Sequence, residues 1–182
     1  LRKTFIIGLV VFSLPRLYSQ NGFTENKGQW DSNVLFLLQP QADVAVFIEA
    51  GAITFNIQLL RHDETPNFEN ISAKTNHEGV KGHAFRIIFE DADFSNITAL
   101  RPKPELLNYF LGKNPEKWST GVKIFNELYI YDAYKNIDLK IISDIGGIKY
   151  EFIIHRGGRV KDIAIRYEGL ENISLSNGQL IL

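Results

Sequence analysis

The chain has 182 residues, 45% apolar and 23% charged, with no cysteine and no methionine, and a formal net charge of −1. Without Arg2, Lys3 and Arg16 near the start, 17 basic residues face 21 acidic ones, a net charge of −4. That balance argues against a nucleic-acid partner, which needs clustered Lys and Arg, and the missing cysteine excludes disulfides and a lipid-modified N-terminal cysteine.

The first residues read as an address. Arg2 and Lys3 precede the apolar run Phe5 to Leu14, followed by Pro15 and the small Ser19. A positive start, an apolar stretch and a small exit residue make the pattern of a secretory signal peptide. The run is shorter than the about 20 residues of a membrane-spanning helix, and Pro15 with the basic start disfavours a buried or anchoring helix. Residues 1–19 are therefore expected to form a signal helix, cut between Ser19 and Gln20, and the protein to be secreted or held at the outer cell surface. Leu1 in place of Met points to a non-standard start or a clipped N-terminus.

Beyond the leader, period-2 alternation of β-branched and aromatic residues predicts strands almost throughout. Val44, Val46 and Ile48 form one apolar face and Ile53, Phe55, Ile57 and Leu59 the next, with Gly51 as the turn between them. His83, Phe85, Ile87 and Phe89 form another. Ile137, Leu139 and Ile141 lead across Asp144-Ile145-Gly146-Gly147, a hairpin signal, into Ile148, Tyr150, Phe152 and Ile154. Ile163, Ile165 and Tyr167 follow, then a short strand around Ile173 to Leu175. The end, Asn177 to Leu182, looks like a turn entering a strand, so residues 20–182 read as a β-rich domain truncated at its C-terminal end, because open edges are normally protected.

No stretch of the mature chain holds a helical period for three turns; Pro104 to Leu111 comes nearest, with one or two turns at most. The polar segment Arg61 to Gly79 is expected to be a mobile insertion. Asp91 to Glu105, with Arg101-Pro102-Lys103-Pro104 stiffened toward an extended path, is a second gap separating an N-terminal from a C-terminal β unit. The class that fits is all-β, an antiparallel β-sandwich-like arrangement of possibly two packed β halves after the N-terminal signal helix.

Chemistry is thinly signalled. His62, His77, His83 and His155 lack the paired short spacing of zinc ligands. Glu90-Asp91-Ala92-Asp93-Phe94-Ser95-Asn96 alternates oxygen ligands as calcium loops do, but Pro102 stands where the bidentate glutamate would be. No nucleophile elbow, phosphate-cradling loop or His-Glu-x-x-His helix occurs, so the expectation is a non-enzyme with no metal and no cofactor. Asn70, Asn96 and Asn172 begin glycosylation tripeptides, which matter only in a eukaryotic host. Trp30, Trp118, Tyr129, Tyr131 and Tyr134 flank expected turns and form a possible ligand platform; core or corner packing is the competing reading.

Two strings carry a resemblance. One is Phe23-Thr24-Glu25-Asn26-Lys27-Gly28-Gln29-Trp30, followed by Val34-Leu35-Phe36. The other is Asn108-Tyr109-Phe110-Leu111-Gly112, then Trp118, Gly121-Val122, Tyr131, Tyr134 and Ile137-Asp138-Leu139. With His83-Ala84-Phe85-Arg86 and Tyr150-Glu151-Phe152, these resemble an N-terminal domain of unknown function in large secreted proteins frequent in Bacteroidetes. The resemblance covers Phe23 to Leu182. It implies continuation into SBBP repeats of the predicted β-propeller type, or a gliding-motility-associated C-terminal domain for type IX secretion, and it carries over no catalytic residue. In that family a Pro-Gly pair often stands where Lys135-Asn136 stands here, and a Pro-Gly turn where His155-Arg156-Gly157-Gly158 stands. Asn26-Lys27-Gly28 suits a tight turn, with Trp30 capping the core. Asn108 and Tyr109 suit a buried corner, and Asp138 an off-core acceptor of a turn hydrogen bond.

These readings converge on a non-catalytic structural or adhesion module of a larger surface protein. Its partners would be downstream domains of the same polypeptide and possibly cell-surface or extracellular glycans or proteins. The alternative is a carbohydrate-binding or carbohydrate-processing module using the surface aromatics.

Overall fold

The computed structural model describes residues 4–5, 20–58, 82–144, 147–177 and 179–181. Most of the predicted signal helix, the segment Arg61 to Gly79, His62, His77 and Leu59 lie outside the described residues. Of residues 1–19, only Thr4–Phe5 (β1) is described, as a two-residue strand.

The described residues are all-β, with two short 3-10 turns and no α-helix. The first half supplies β2 (Gln20–Glu25), β3 (Val34–Gln41), β4 (Val44–Glu49), β5 (Ala52–Gln58) and β6 (Gly82–Glu90). The second half supplies β7 (Ile97–Phe110), β8 (Trp118–Tyr134), β9 (Ile137–Asp144), β10 (Gly147–Ile154), β11 (Ala164–Glu168), β12 (Ser174–Ser176) and β13 (Gln179–Ile181). Eleven strands share one antiparallel sheet in the order β1-β10-β9-β8-β2-β3-β4-β5-β6-β11, with β7 also on β8; β12 and β13 form a separate pair.

The alternating segments become strands for the reason their pattern gives. Val46, Ile48, Ile53, Phe55, Ile87 and Phe89 are buried on β4 to β6, and Leu139, Ile141, Ile148, Tyr150 and Phe152 on β9 and β10. Hydrophobic burial drives each apolar face inward while its polar neighbours stay wet. Asp144 pairs with Gly147 at the expected hairpin.

Three expectations need correction. Pro104 to Leu111 is not helical, and Asp91 to Glu105 is a gap only as far as Asn96, because both run into the 14-residue β7. Proline lacks an N–H and is tolerated on an edge strand. β7 pairs with β8 alone, and its register shifts between Pro102 and Leu106, across Pro104. Likewise Tyr129 and Tyr131 lie inside β8, a 17-residue strand, rather than beside turns.

The sheet curls so that strands far apart in its order face each other. Phe89 on β6 meets Tyr150 and Phe152 on β10 edge-on, at ring-centroid distances of 5.6 and 6.1 Å. The Tyr134 hydroxyl at the end of β8 donates to the Ala164 carbonyl on β11 at 3.1 Å. Both halves therefore close on one core, to which Phe23, Leu38, Leu128, Ile130 and Ile137 also belong.

Candidate functional site

β8 does two jobs along its length. From Glu127 onward it pairs with β9, and at Ile124 and Phe125 with β2. Between Trp118 and Lys123 its registered partner is β7 alone, so these strands continue past the body as a hairpin arm. Gly121, at φ 62°, marks the extra residue of β8 where the register shifts between Leu107 and Tyr109. A left-handed glycine is what such a bulge uses. At the tip, Asn114 Oδ1 accepts from the Glu116 N–H at 3.0 Å, and Trp118 Nε1 donates to the Gly112 carbonyl at 3.3 Å.

The two strings singled out in the sequence meet at this arm. Asn26 Oδ1 accepts from the N–H groups of Gly28 and Trp30, and Nδ2 donates to the carbonyls of Asp31 and Val34 at 2.9 and 2.8 Å. The buried Gln29 side chain accepts from the Lys27 N–H and donates to the Glu25 carbonyl, both at 2.7 Å. These amides replace the ladder that a loop lacks, because buried backbone groups must find partners. The loop so fixed then holds the arm. Lys27 Nζ donates to the Thr120 carbonyl at 3.1 Å, and Ser119 Oγ donates to the Lys27 carbonyl at 3.3 Å. Trp30 packs edge-on against Tyr109 at 5.3 Å, and Asn108 Oδ1 accepts from the Gly121 N–H at 3.0 Å. Asn108 is exposed rather than part of a buried corner, though its amide satisfies the backbone as expected.

The five candidate platform rings fall in four places. Trp30 is half-buried in the loop that holds the arm. Trp118 is 45% exposed at the tip, edge-on to Phe110 at 5.6 Å. Tyr129 and Tyr131 lie 4.6 Å apart with planes tilted by 47°. Tyr134 is a core residue, 7% exposed; burial pushes its phenol up to about 12, against the opposing effect of the bond to Ala164. The structure thus brings Tyr129 to Tyr131, and leaves Trp30, Trp118 and Tyr134 elsewhere.

A polar cluster sits beside Tyr129. The buried Asp138 carboxylate accepts from the Tyr129 hydroxyl at 2.7 Å and the Asp132 N–H at 2.8 Å, and lies 2.6 Å from His155 Nε2. Burial raises the Asp138 pKa, but the hydrogen bonds from Asp132, His155 and Tyr129 outweigh it and leave the carboxyl below its ordinary value. Asp138 accepts the expected turn hydrogen bond. His155, just past the end of β10, is half-exposed and engaged by Asp138. The pairing of Ile153 with Asp138 brings this about, since His155 lies two residues past Ile153 on the same face. Asn136, at φ 56°, takes the left-handed turn position that asparagine tolerates in place of glycine.

An open cleft of about 590 Å³ lies between Ser32, Asn33, Leu35, Ala50 and the Glu49–Arg86 ion pair. Glu49 Oε2 is 2.6 Å from Arg86 Nη2 and accepts from Thr54 at 3.1 Å. Among the described residues, no three His, Asp or Glu side chains come together as metal ligands, and no helix is long and apolar enough to cross a membrane.

The fold and these sites define an all-β domain whose signature loop fixes a hairpin. Residues 23–182 match the family described as Domain of unknown function (DUF7948), and the chain belongs to it. No curated protein and no solved structure matches the chain.

Proposed function

We propose that residues 20–182 are a non-catalytic N-terminal module of a larger exported bacterial protein, held at the cell surface and acting in adhesion or assembly. The observation that carries this is how the signature residues are used. Asn26, Gln29, Asn108 and Gly121 spend their hydrogen bonds fixing the arm, while Leu106, Phe110, Leu111 and Trp118 on it stay exposed. Exposed apolar side chains grouped on a fixed element suit contact with another surface. The leader pattern and the resemblance to secreted Bacteroidetes proteins with SBBP repeats or gliding-motility-associated sorting domains support the surface assignment. On this reading the partners are downstream domains of the same polypeptide and cell-surface proteins or glycans.

The test is fractionation of a bacterial host expressing the chain with its leader. Material outside the cytoplasm beginning at Gln20 is expected; uncleaved chain in the cytosol overturns the reading. The tilted Tyr129–Tyr131 pair beside Asp138 and His155 favours a second reading, a carbohydrate-binding face. Glycan-array binding abolished by Tyr131→Ala would select it, and binding to no glycan would remove it.

A further inference from the structure

We infer that the arm is a docking element for an anionic lipid surface. Leu106, Asn108 and Phe110 alternate with inward-facing Leu107 and Tyr109 along β7, so they share the outward face of the arm. Leu106 is 58% exposed and Phe110 62%, with Trp118 across from Phe110 and the exposed Leu111 at the turn. A Trp, a Phe and two Leu on a rigid tip match the side chains that enter the headgroup and acyl boundary.

Charge identifies the occupant. Residues 106–123 carry three basic residues, Lys113, Lys117 and Lys123, against Glu116, a net charge of +2. The rest of the chain then holds 17 basic and 20 acidic residues, a net charge of −3. Lys123 is exposed directly across from Leu106, and Lys113 is exposed in the tip turn. A basic apolar tip on an acidic body is attracted to negative headgroups, turns its body away from them, and repels the tip of a second copy. A neutral glycan would draw nothing from this charge. Trp30, Lys27 and Asn108 hold the arm in place beforehand, so little ordering opposes contact.

The proposal deepens the adhesion reading by naming what the arm touches. Vesicle binding does not depend on where a cell sends the chain, so either can fail without the other. The experiment is co-sedimentation of the full chain with vesicles of phosphatidylcholine alone or mixed with phosphatidylglycerol, at low and high salt. Binding to the mixed vesicles is expected, weakened by salt, and about tenfold weaker in Phe110→Ser/Trp118→Ser. The conservative pair Phe110→Trp/Trp118→Phe is expected to bind as the parent does. An unchanged circular dichroism melt keeps the serine variant interpretable, because both side chains are exposed, and the leader is common to every variant and cannot account for a difference between them. Equal binding to neutral vesicles, no binding to either, or undiminished binding by the serine variant overturns the proposal. So does an ultracentrifugation dimer that the serine variant dissolves, which would make a second copy the occupant.

Discussion

The two ends of β8 live under different rules. Toward Tyr134 the strand is flanked on both edges and its inward side chains, Leu128, Ile130 and Tyr134, are enclosed by the curled sheet. Toward Trp118 it has one strand partner, and its order comes from the amides of Asn26, Gln29 and Asn108. One end is held by burial and the other by hydrogen bonds from a loop. Packing of the first kind tolerates little change in volume, whereas the second relies more on a few polar atoms and leaves Leu106, Phe110, Leu111 and Trp118 exposed.

Substitutions can break or sharpen that contrast. The largest effect is expected in the body: Phe89→Ala removes the ring that joins β6 to β10 and should cost about 3–5 kcal/mol, read from urea unfolding. Next comes the loop. Asn26→Ala should cost about 2–3 kcal/mol and, more tellingly, speed amide hydrogen exchange at Gly28 and Trp30, whose N–H groups it holds, while exchange in β9 and β10 stays slow. An equal loss of protection in the body would mean that the two ends are one cooperative unit.

Asp138→Asn should cost about 1–2 kcal/mol at neutral pH. Asp138 is lowered in the folded state, so its contribution is complete above the ordinary carboxylate range and is lost as pH falls through the lowered folded value. Stability curves of parent and variant should therefore converge in acid; a gap that widens there would contradict the ionised carboxylate. The smallest effect belongs to the tip, where Phe110→Ser should change stability by no more than about 0.5 kcal/mol, because the ring is already exposed. A large loss would mean that the tip is packing and not display.

The sequence made the body legible and left the arm obscure. Strands such as Val44–Glu49 and Gly147–Ile154 bury one face, and alternation reports that directly. β7 carries two prolines, a left-handed Arg101 and no sustained alternation through its middle, so its pattern gave no strand until its partner was known. β8 escaped notice because its inward and outward faces change register at Gly121. The signature strings were visible as strings, but their meeting depends on contacts between residues about ninety apart, such as Lys27 with Ser119 and Thr120, which no local pattern contains. The Tyr129–Asp138–His155 cluster was hidden likewise, in the registers of β8 with β9 and β9 with β10.

The place of β2 in the sheet sets an order of assembly. Although β2 comes early in the chain, it lies between β3 and β8, with Phe23 against Phe125 and Thr24 against Ile124. Gly22 lets the two backbones approach, since a Cβ there would come within 2.5 Å of the Ile124 side chain. A ribosome must therefore deliver two thirds of the polypeptide before the opening strand can find its second neighbour, and loop closure of that span is slow. Until then Phe23 has no finished core to enter.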